Sequence, residues 1–380
     1  MKPTFILSFL LCVTTLAAAC TPSTPGAKKS ATGNDARQAA DSTDYAPQPS
    51  AADTLTVAMT GDIMMGTTYP SNALPAAGGS KLFADVKDIL AQADIATGNL
   101  EGAICDTSFQ RDTRKSADSY FFRMPPTMAP LLKEAGFDYL CMANNHTMDF
   151  KLAGVKATEN TLDNLGIEYS GINGRKECAI VERGGVKYGF CAFGHNSYTL
   201  KHNNLDKVKD ILDSLNSKAD IIIVSFHGGG EGKAFSHLPY GKEKYIGEDR
   251  GDLRKFARFC IDNGADIVYG HGPHVTRCIE MYKDRLIAYS LGNFCTPYGI
   301  SLSGVSSYAP VIEAGIDRQG RFLGGKIHSF TQRRGIGPRR DSTNIVARHI
   351  RSLTAADIKN GKLNIADDGK ITIRRNAENR

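Results

Sequence analysis

Residues 264–275 read GADIVYGHGPHV. Gly264 closes a preceding periodic segment, residues 266–269 form a short apolar β-rich run, and a glycine-rich loop then carries His271 and His274. Glycine suits both jobs, because it ends helices in a left-handed conformation and lets a backbone turn sharply beside an ion or phosphate. The same succession recurs upstream. Residues 220–226, DIIIVSF, predict a central strand and give way to His227-Gly228-Gly229-Gly230-Glu231. Residues 139–143 lead into Asn144-Asn145-His146, residues 94–97 into Gly98-Asn99-Leu100-Glu101-Gly102, and residues 55–60 into Gly61-Asp62.

Between these runs the pattern turns helical. Apolar periodicity predicts helices over 81–93, 126–135, 151–165, 205–215 and 250–263, with proline in the first turn of the second. A strand is predicted near 167–170, and residues 177–181 and 187–193 form a hairpin around Gly184-Gly185. Residues 277–282 and 286–290 form an antiparallel pair, and 310–316 and 322–328 complete the set. Strand–helix alternation followed by strand pairs implies an α/β fold, a sandwich with mixed sheets. In open α/β sheets ligands bind beyond the carboxyl ends of strands, so the polar loops converge on one crevice. Metal ligands are expected on those loops, outside the packed core.

The chain has 380 residues, 41% hydrophobic and 23% charged, which excludes global disorder. Beyond the extreme N-terminus no stretch approaches the ~18 apolar residues of a spanning helix. The net charge is +6, yet residues 331–380 alone hold 12 Lys and Arg against 5 Asp and Glu. The remainder is close to neutral, so a uniformly basic nucleic-acid binder is excluded. Residues 331–380 read as a basic C-terminal extension, peripheral to a domain over 53–330, with short β-like runs at 363–365 and 371–373.

The first twenty residues read as a secretory signal: Lys2, an apolar run over 5–13, and Ala17-Ala18-Ala19 before Cys20. A cysteine directly after small residues suggests lipoprotein processing, with Cys20 lipid-modified and anchoring the chain to a membrane of the cell envelope. Cleavage after Ala19 without lipid is the alternative. Residues 21–52, rich in Ser, Thr, Pro, Ala and Gly, read as a flexible linker. Seven further cysteines in the body, with no Cys-x-x-Cys spacing, exclude a complete disulfide framework and give a zinc–thiolate site no support. Cys141, Cys191 and Cys260 lie in apolar runs and are expected to be buried thiols.

The polar set at the strand ends comprises carboxylates, amides and three histidines without thiolate, which suits Mn, Fe or Zn better than a calcium-type cage. Glu231 and His195 are placed at the rim. The stretches TGDIMMG (60–66), ATGNLEG (96–102), MANNHTMD (142–149), SFHGGGEG (225–232), GADIVYGHGPHV (264–275) and IAYSLGNF (287–294) resemble the CapA family of poly-γ-glutamate capsule-biosynthesis proteins. That family is a branch of the calcineurin-like metallophosphoesterase superfamily, and the resemblance covers roughly residues 54–330 in order.

The resemblance implies a four-layer α/β/β/α sandwich, metallophosphoesterase-like, with two divalent metal ions held between mixed β-sheets. It implies Asp62, Asn145, His227, His271 and His274 as metal ligands. Glu101, with Asn99 as the alternative, takes the position of the bridging carboxylate. His146 is the catalytic histidine that contacts phosphate or protonates the leaving group. The first motif lacks the histidine usual two residues after its Asp, where Met64 stands, and Gly228 occupies a position that is usually aromatic. The implied function is capsule or poly-γ-glutamate synthesis or export through phosphoester hydrolysis. The alternatives are a non-catalytic tethered accessory that binds an anionic polymer, and a metal-dependent hydrolase of γ-linked amide bonds. Implied partners are the membrane, an anionic polymer or phosphoester substrate, and other capsule-synthesis proteins.

Overall fold

In the computed structural model, which describes residues 54–113 and 119–374, the first apolar run becomes strand β1, Leu55–Ile63. The leader, Cys20 and the linker lie outside the described residues. β1 alternates as a strand packed on both faces must. Leu55, Val57 and Met59 point into one apolar cluster, while Ala58 and Ile63 point into another.

β1 sits inside a nine-stranded mixed sheet. Its parallel neighbours are β2 (Ile95–Leu100), then β3 (Tyr139–Cys141) and β4 (Glu168–Ser170). The second sheet has six strands, including β5 (Cys178–Arg183), β6 (Val186–Phe193), β7 (Ile221–His227) and β8 (Ile267–His271). Its far edge is the antiparallel pair β9 (Ile279–Tyr282) and β10 (Arg285–Ala288), with β10 beside β8. In the first sheet, β11 (Asn293–Cys295) pairs in parallel with β1, and β12 (Val311–Ile316) and β13 (Phe322–His328) extend the antiparallel side.

The two sheets face each other across one apolar layer. Val57, Ile95 and Ile312 of the first sheet meet Phe190, Ile223 and Ile267 of the second, all 0% exposed. Helices α1 (Lys87–Gln92), α2 (Pro130–Ala135) and α3 (Lys151–Leu165) cover the outer face of the first sheet through Leu90, Leu132, Val155 and Leu162. Helices α4 (Leu205–Asn216) and α5 (Leu253–Asp262) cover the second through Ile211, Leu215, Phe256 and Cys260. The order is helix, sheet, sheet, helix, as expected. All seven described cysteines are free, and Cys141, Cys191 and Cys260 are buried.

Three expectations are corrected. β1 and β2 run past residues 60 and 97, so Asp62 and Asn99 lie within strands and not in the loops after them. Register explains this, because Asp62 is opposite both Asn99 and Asn293, and parallel pairing on both sides carries the strand onward. The helix expected over 81–93 is helical only at Lys87–Gln92. The C-terminal segment is not peripheral. It supplies α6 (Ile345–Asp357), whose Val346, Ala347 and Ile350 are buried in the layer between the sheets. It also supplies β14 (Leu363–Ile365) and β15 (Lys370–Ile373), which continue the large sheet beyond β13. Its cations are partly structural, since Arg339 donates to the Lys81 and Leu82 carbonyls.

The inter-sheet layer is held by packing more than by polar contacts. Phe190 stacks on Tyr139 with ring centroids 4.2 Å apart, whereas Tyr269 and Thr97 share one hydroxyl–hydroxyl hydrogen bond of 2.5 Å across the layer. Phe190→Ala is expected to lower unfolding free energy by about 3–5 kcal/mol. Tyr269→Phe should cost only about 1–2 kcal/mol. Urea denaturation of both variants checks the ranking, and an inverted order would mean that the polar contact dominates.

Candidate metal centre

The centre forms where the parallel strands of both sheets end. In the first sheet Asp62, Asn99 and Asn293 lie side by side on β1, β2 and β11. In the second, His227 and His271 are opposite one another as the last residues of β7 and β8. The histidines expected on loops are therefore strand termini at 0% exposure, part of the packed core. Of the three histidines expected as ligands, only His274 lies on the loop proper, with its side chain 15% exposed. Its φ of 55° is left-handed, a conformation that costs a non-glycine residue about 1–3 kcal/mol and persists only where the surroundings impose it. Asn293 does so by accepting at Oδ1 from the His274 ring, Nδ1 lying 3.0 Å away, and by donating from Nδ2 to the His274 carbonyl.

Two carboxylates anchor the arrangement, both fully buried. Asp62 faces His271 Nδ1 at 3.5 Å and His274 Nδ1 at 3.1 Å. Glu101 faces His227 Nε2 at 3.4 Å and His146 Nε2 at 4.0 Å. Asn99 lies between them, donating one amide hydrogen to Asp62 and the other to Glu101. Burial pushes the Asp62 carboxyl up, but the attraction of the His271 and His274 rings, with the His274 hydrogen bond, outweighs it and holds the group well below the usual carboxylate range. Burial likewise opposes ionisation of Glu101, and the attraction of His227 outweighs it. For His274, burial acts downward, while the hydrogen bond and charge of Asp62 carry its pKa up to about 9. His271 is pushed down by its burial.

Several buried donor and acceptor atoms here lack a hydrogen-bond partner: Glu101 Oε1 and both ring nitrogens of His227 and of His271. Orphaned polar atoms at a dry site are costly, and a cation is one agent that satisfies them. The residue types also fit a divalent ion, with carboxylate oxygen and imidazole nitrogen as donors. Among the described residues, no group of three or more His, Cys, Asp or Glu side chains stands in a metal-ligating arrangement.

His146 stands at the edge of the centre, 7% exposed. Its Nδ1 is 2.9 Å from Asp149 Oδ2, which also accepts the Phe122 amide, and Phe122 lies against the ring with centroids 4.1 Å apart. Asp149, Asn144 and Asn293 fall within motifs quoted from the sequence without any role there. Their roles depend on partners the sequence does not show.

Asn145, His146 and His274 open onto a cleft of about 530 Å³. Tyr120 and Ile246, 71% and 81% exposed, stand at its mouth. Glu231 lines it and is paired with Arg250 at 3.0 Å. His195 is not on the rim. Its side chain is 3% exposed, with its ring 5.8 Å from that of His227 and Nε2 3.3 Å from Glu248. The missing aromatic at Gly228 is explained by a strap. A Cβ there would lie 2.6 Å from the Arg250 carbonyl, because the hairpin of Glu243–Tyr245 and Glu248–Gly251 fills that space.

The fold is a four-layer α/β/β/α sandwich with a carboxylate, amide and histidine cluster at its strand ends. Residues 56–298 match the family described as "Bacterial capsule synthesis protein PGA_cap", and the chain belongs to that family. It is 29% identical over 262 residues to the PGA biosynthesis protein CapA of Bacillus subtilis (strain 168), covering 65% of this chain and 64% of that one. It is 28% identical over 263 residues to the capsule biosynthesis protein CapA of Bacillus anthracis, covering 64% of this chain and 60% of the relative. The chain thus spans somewhat under two thirds of the length of either relative. Among solved structures it is similar to a 5'-nucleotidase precursor from Thermus thermophilus, with a TM-score of 0.43 and 14% identity over 80% of this chain and 59% of that one. Among the described residues no helix is long and apolar enough to cross a membrane.

The strap is pinned from beneath. Arg277, 0% exposed, makes a bidentate pair with Glu243 at 2.8 and 2.7 Å and donates to the Phe235 carbonyl. Removing one partner leaves an uncompensated buried charge, so Glu243→Ala is expected to cost about 3–5 kcal/mol. The double variant Glu243→Leu/Arg277→Met should recover most of that loss. Chemical denaturation tests both, and a single-variant loss below about 1 kcal/mol, the scale of a surface pair, would show that the strap is held elsewhere.

Proposed function

We propose that this chain is an envelope-anchored protein of capsule or poly-γ-glutamate synthesis or export, held by a lipid on Cys20, and that its centre is a divalent-metal-dependent phosphoester hydrolase site. The observation that carries the reading is the convergence of partnerless buried atoms on Glu101, His227 and His271 beside Asp62 and His274. Asp62, His271 and His274 would hold one divalent ion, and Glu101, His227 and Asn145 a second. Bound there, such ions supply Lewis-acid polarisation of a phosphoryl oxygen and a water acidic enough to attack near neutral pH.

The chain's own residues do the rest. Asp149 fixes His146 through Nδ1, which leaves Nε2 turned toward Glu101 and the centre. From there His146 can give a proton to a leaving oxygen or hydrogen-bond a phosphoryl oxygen. Phe122 covers one face of the ring and keeps water from it. The cleft wall bears on the alternatives. Among its described lining residues Arg250 is the one Lys or Arg, and its guanidinium is already paired with Glu231 and Glu248. A polyglutamate strand laid in this cleft would bring its carboxylates against those two glutamates. The wall therefore favours a substrate whose anionic group is the reacting phosphate and whose remainder near Tyr120 and Ile246 is uncharged.

Elemental analysis of the purified chain after loading with Mn, Fe or Zn should find about two metal ions per chain, both lost in His271→Ala. Activity on model phosphomonoesters and diesters is expected in the loaded wild type. His146→Ala should lose about 10²–10⁴-fold in kcat with its metal content intact. A wild-type chain that takes up no metal would sink the hydrolase reading and leave the accessory role.

A further inference from the structure

Asn99 lies between Asp62 and Glu101, and its amide has one orientation. The reason lies one residue further in, at Asn144. Asn144 Oδ1 accepts the backbone N–H of His146 at 3.1 Å, and Asn144 Nδ2 donates to the backbone carbonyl of Leu100 at 2.8 Å. Backbone N–H and C=O cannot exchange roles, so these two bonds fix which end of the Asn144 amide is which. The second hydrogen of Asn144 Nδ2 then goes to Asn99 Oδ1 at 3.0 Å. That occupies the Asn99 oxygen and turns its Nδ2 toward the carboxylates, where it donates to Asp62 Oδ1 at 2.9 Å and to Glu101 Oε2. All four side chains are 0% exposed, so water cannot substitute for any of these bonds.

We propose that Asn99 is a positioning residue that gives hydrogens and not oxygen to the centre, joining Asp62 and Glu101 as an amide clamp, with Asn144 setting its orientation. It is therefore not a metal ligand. The half-sets around Asp62 and around Glu101 are linked by a neutral donor, where a bridging carboxylate would have added charge. The clamp deepens the metal-dependent reading and rests on it only for its effect on ions. Its effect on the metal-free protein stands alone.

The test uses the full chain stripped with a chelator, comparing wild type with Asn99→Ser, Asn99→Ala, Asn99→Asp and Asn144→Ala. Thermal unfolding of the metal-free proteins should rank wild type above Asn99→Ser, then Asn99→Ala, with Asn99→Asp lowest. Serine keeps one hydrogen to give, alanine keeps none, and aspartate adds a third buried carboxylate. Asn144→Ala should fall with Asn99→Ala, because it frees the amide to turn. Titration with Mn²⁺ should show Asn99→Ala weakened by roughly 10–100-fold, as for loss of a group that orients ligands. Metal-free midpoints that ignore this order, with Mn²⁺ affinity still lost in Asn99→Ala, would make Asn99 a ligand and overturn the proposal. If wild type binds no Mn²⁺, the metal-dependent reading fails while the metal-free ranking still decides the clamp. Should the variants not fold, the side-chain amide ¹⁵N resonance of Asn99 in wild type decides instead. Hydrogen-bond coupling from that amide to the Asp62 and Glu101 carboxyl carbons, kept on Zn²⁺ loading, supports a donor, and its loss overturns it.

Discussion

Two carboxylates, Asp62 and Glu101, share one dry space at the ends of neighbouring strands, and the rest of the centre answers the cost of keeping both ionised. Taking an ion out of water costs several kcal/mol even after relaxation, and two like charges side by side add to that. The chain meets the cost with imidazoles facing the acids, His271 and His274 at Asp62 and His227 and His146 at Glu101, and with the Asn99 amide donating to both. Parallel register delivers these groups. A slip of one residue between β1 and β2 would turn Asn99 to the other face of the sheet and remove the donor between the acids.

A second constraint is closeness. The backbone of β1 passes so near the 291–292 turn that a Cβ on Gly61 would fall 1.9 Å from the Gly292 carbonyl. Only glycine allows that approach, which brings Asp62 alongside Asn293 and the His274 loop. Gly228 repeats the device on the other sheet, where a Cβ would lie 2.6 Å from the Arg250 carbonyl of the strap. Two glycines thus set how far apart the walls of the centre stand, while the Arg277–Glu243 pair holds the strap against them.

Much of this is legible in the sequence. Strand, glycine and polar residue recur in order, and the polar residues of five such runs do meet. Less legible is anything defined by a partner distant in the chain. Asn144 and Asn145 are adjacent and chemically identical, yet one is committed to backbone groups of Leu100 and His146 and the other lines the cleft. Asp149 looks like an ordinary polar residue until the Phe122 amide and the His146 ring are seen against it. The C-terminal segment reads as peripheral because its basic composition masks a short apolar stripe, Val346, Ala347 and Ile350, that enters the core. Its strands are only three or four residues long, too short for alternation to stand out.

The place of that segment in the sheet also governs the order of assembly. β1 comes first among the described strands but lies inside the sheet, and its antiparallel neighbour β12 begins only at Val311. β13, β15 and β14 then build outward from it. Until residues 311–316 are available, β1 presents an open edge on one side, and unpaired edges invite association with other chains. Pairings this distant in sequence form slowly, because a long loop must close before any contact rewards it. A chain emerging from its N-terminus therefore cannot finish its central sheet early, and it remains extensible through most of its own synthesis.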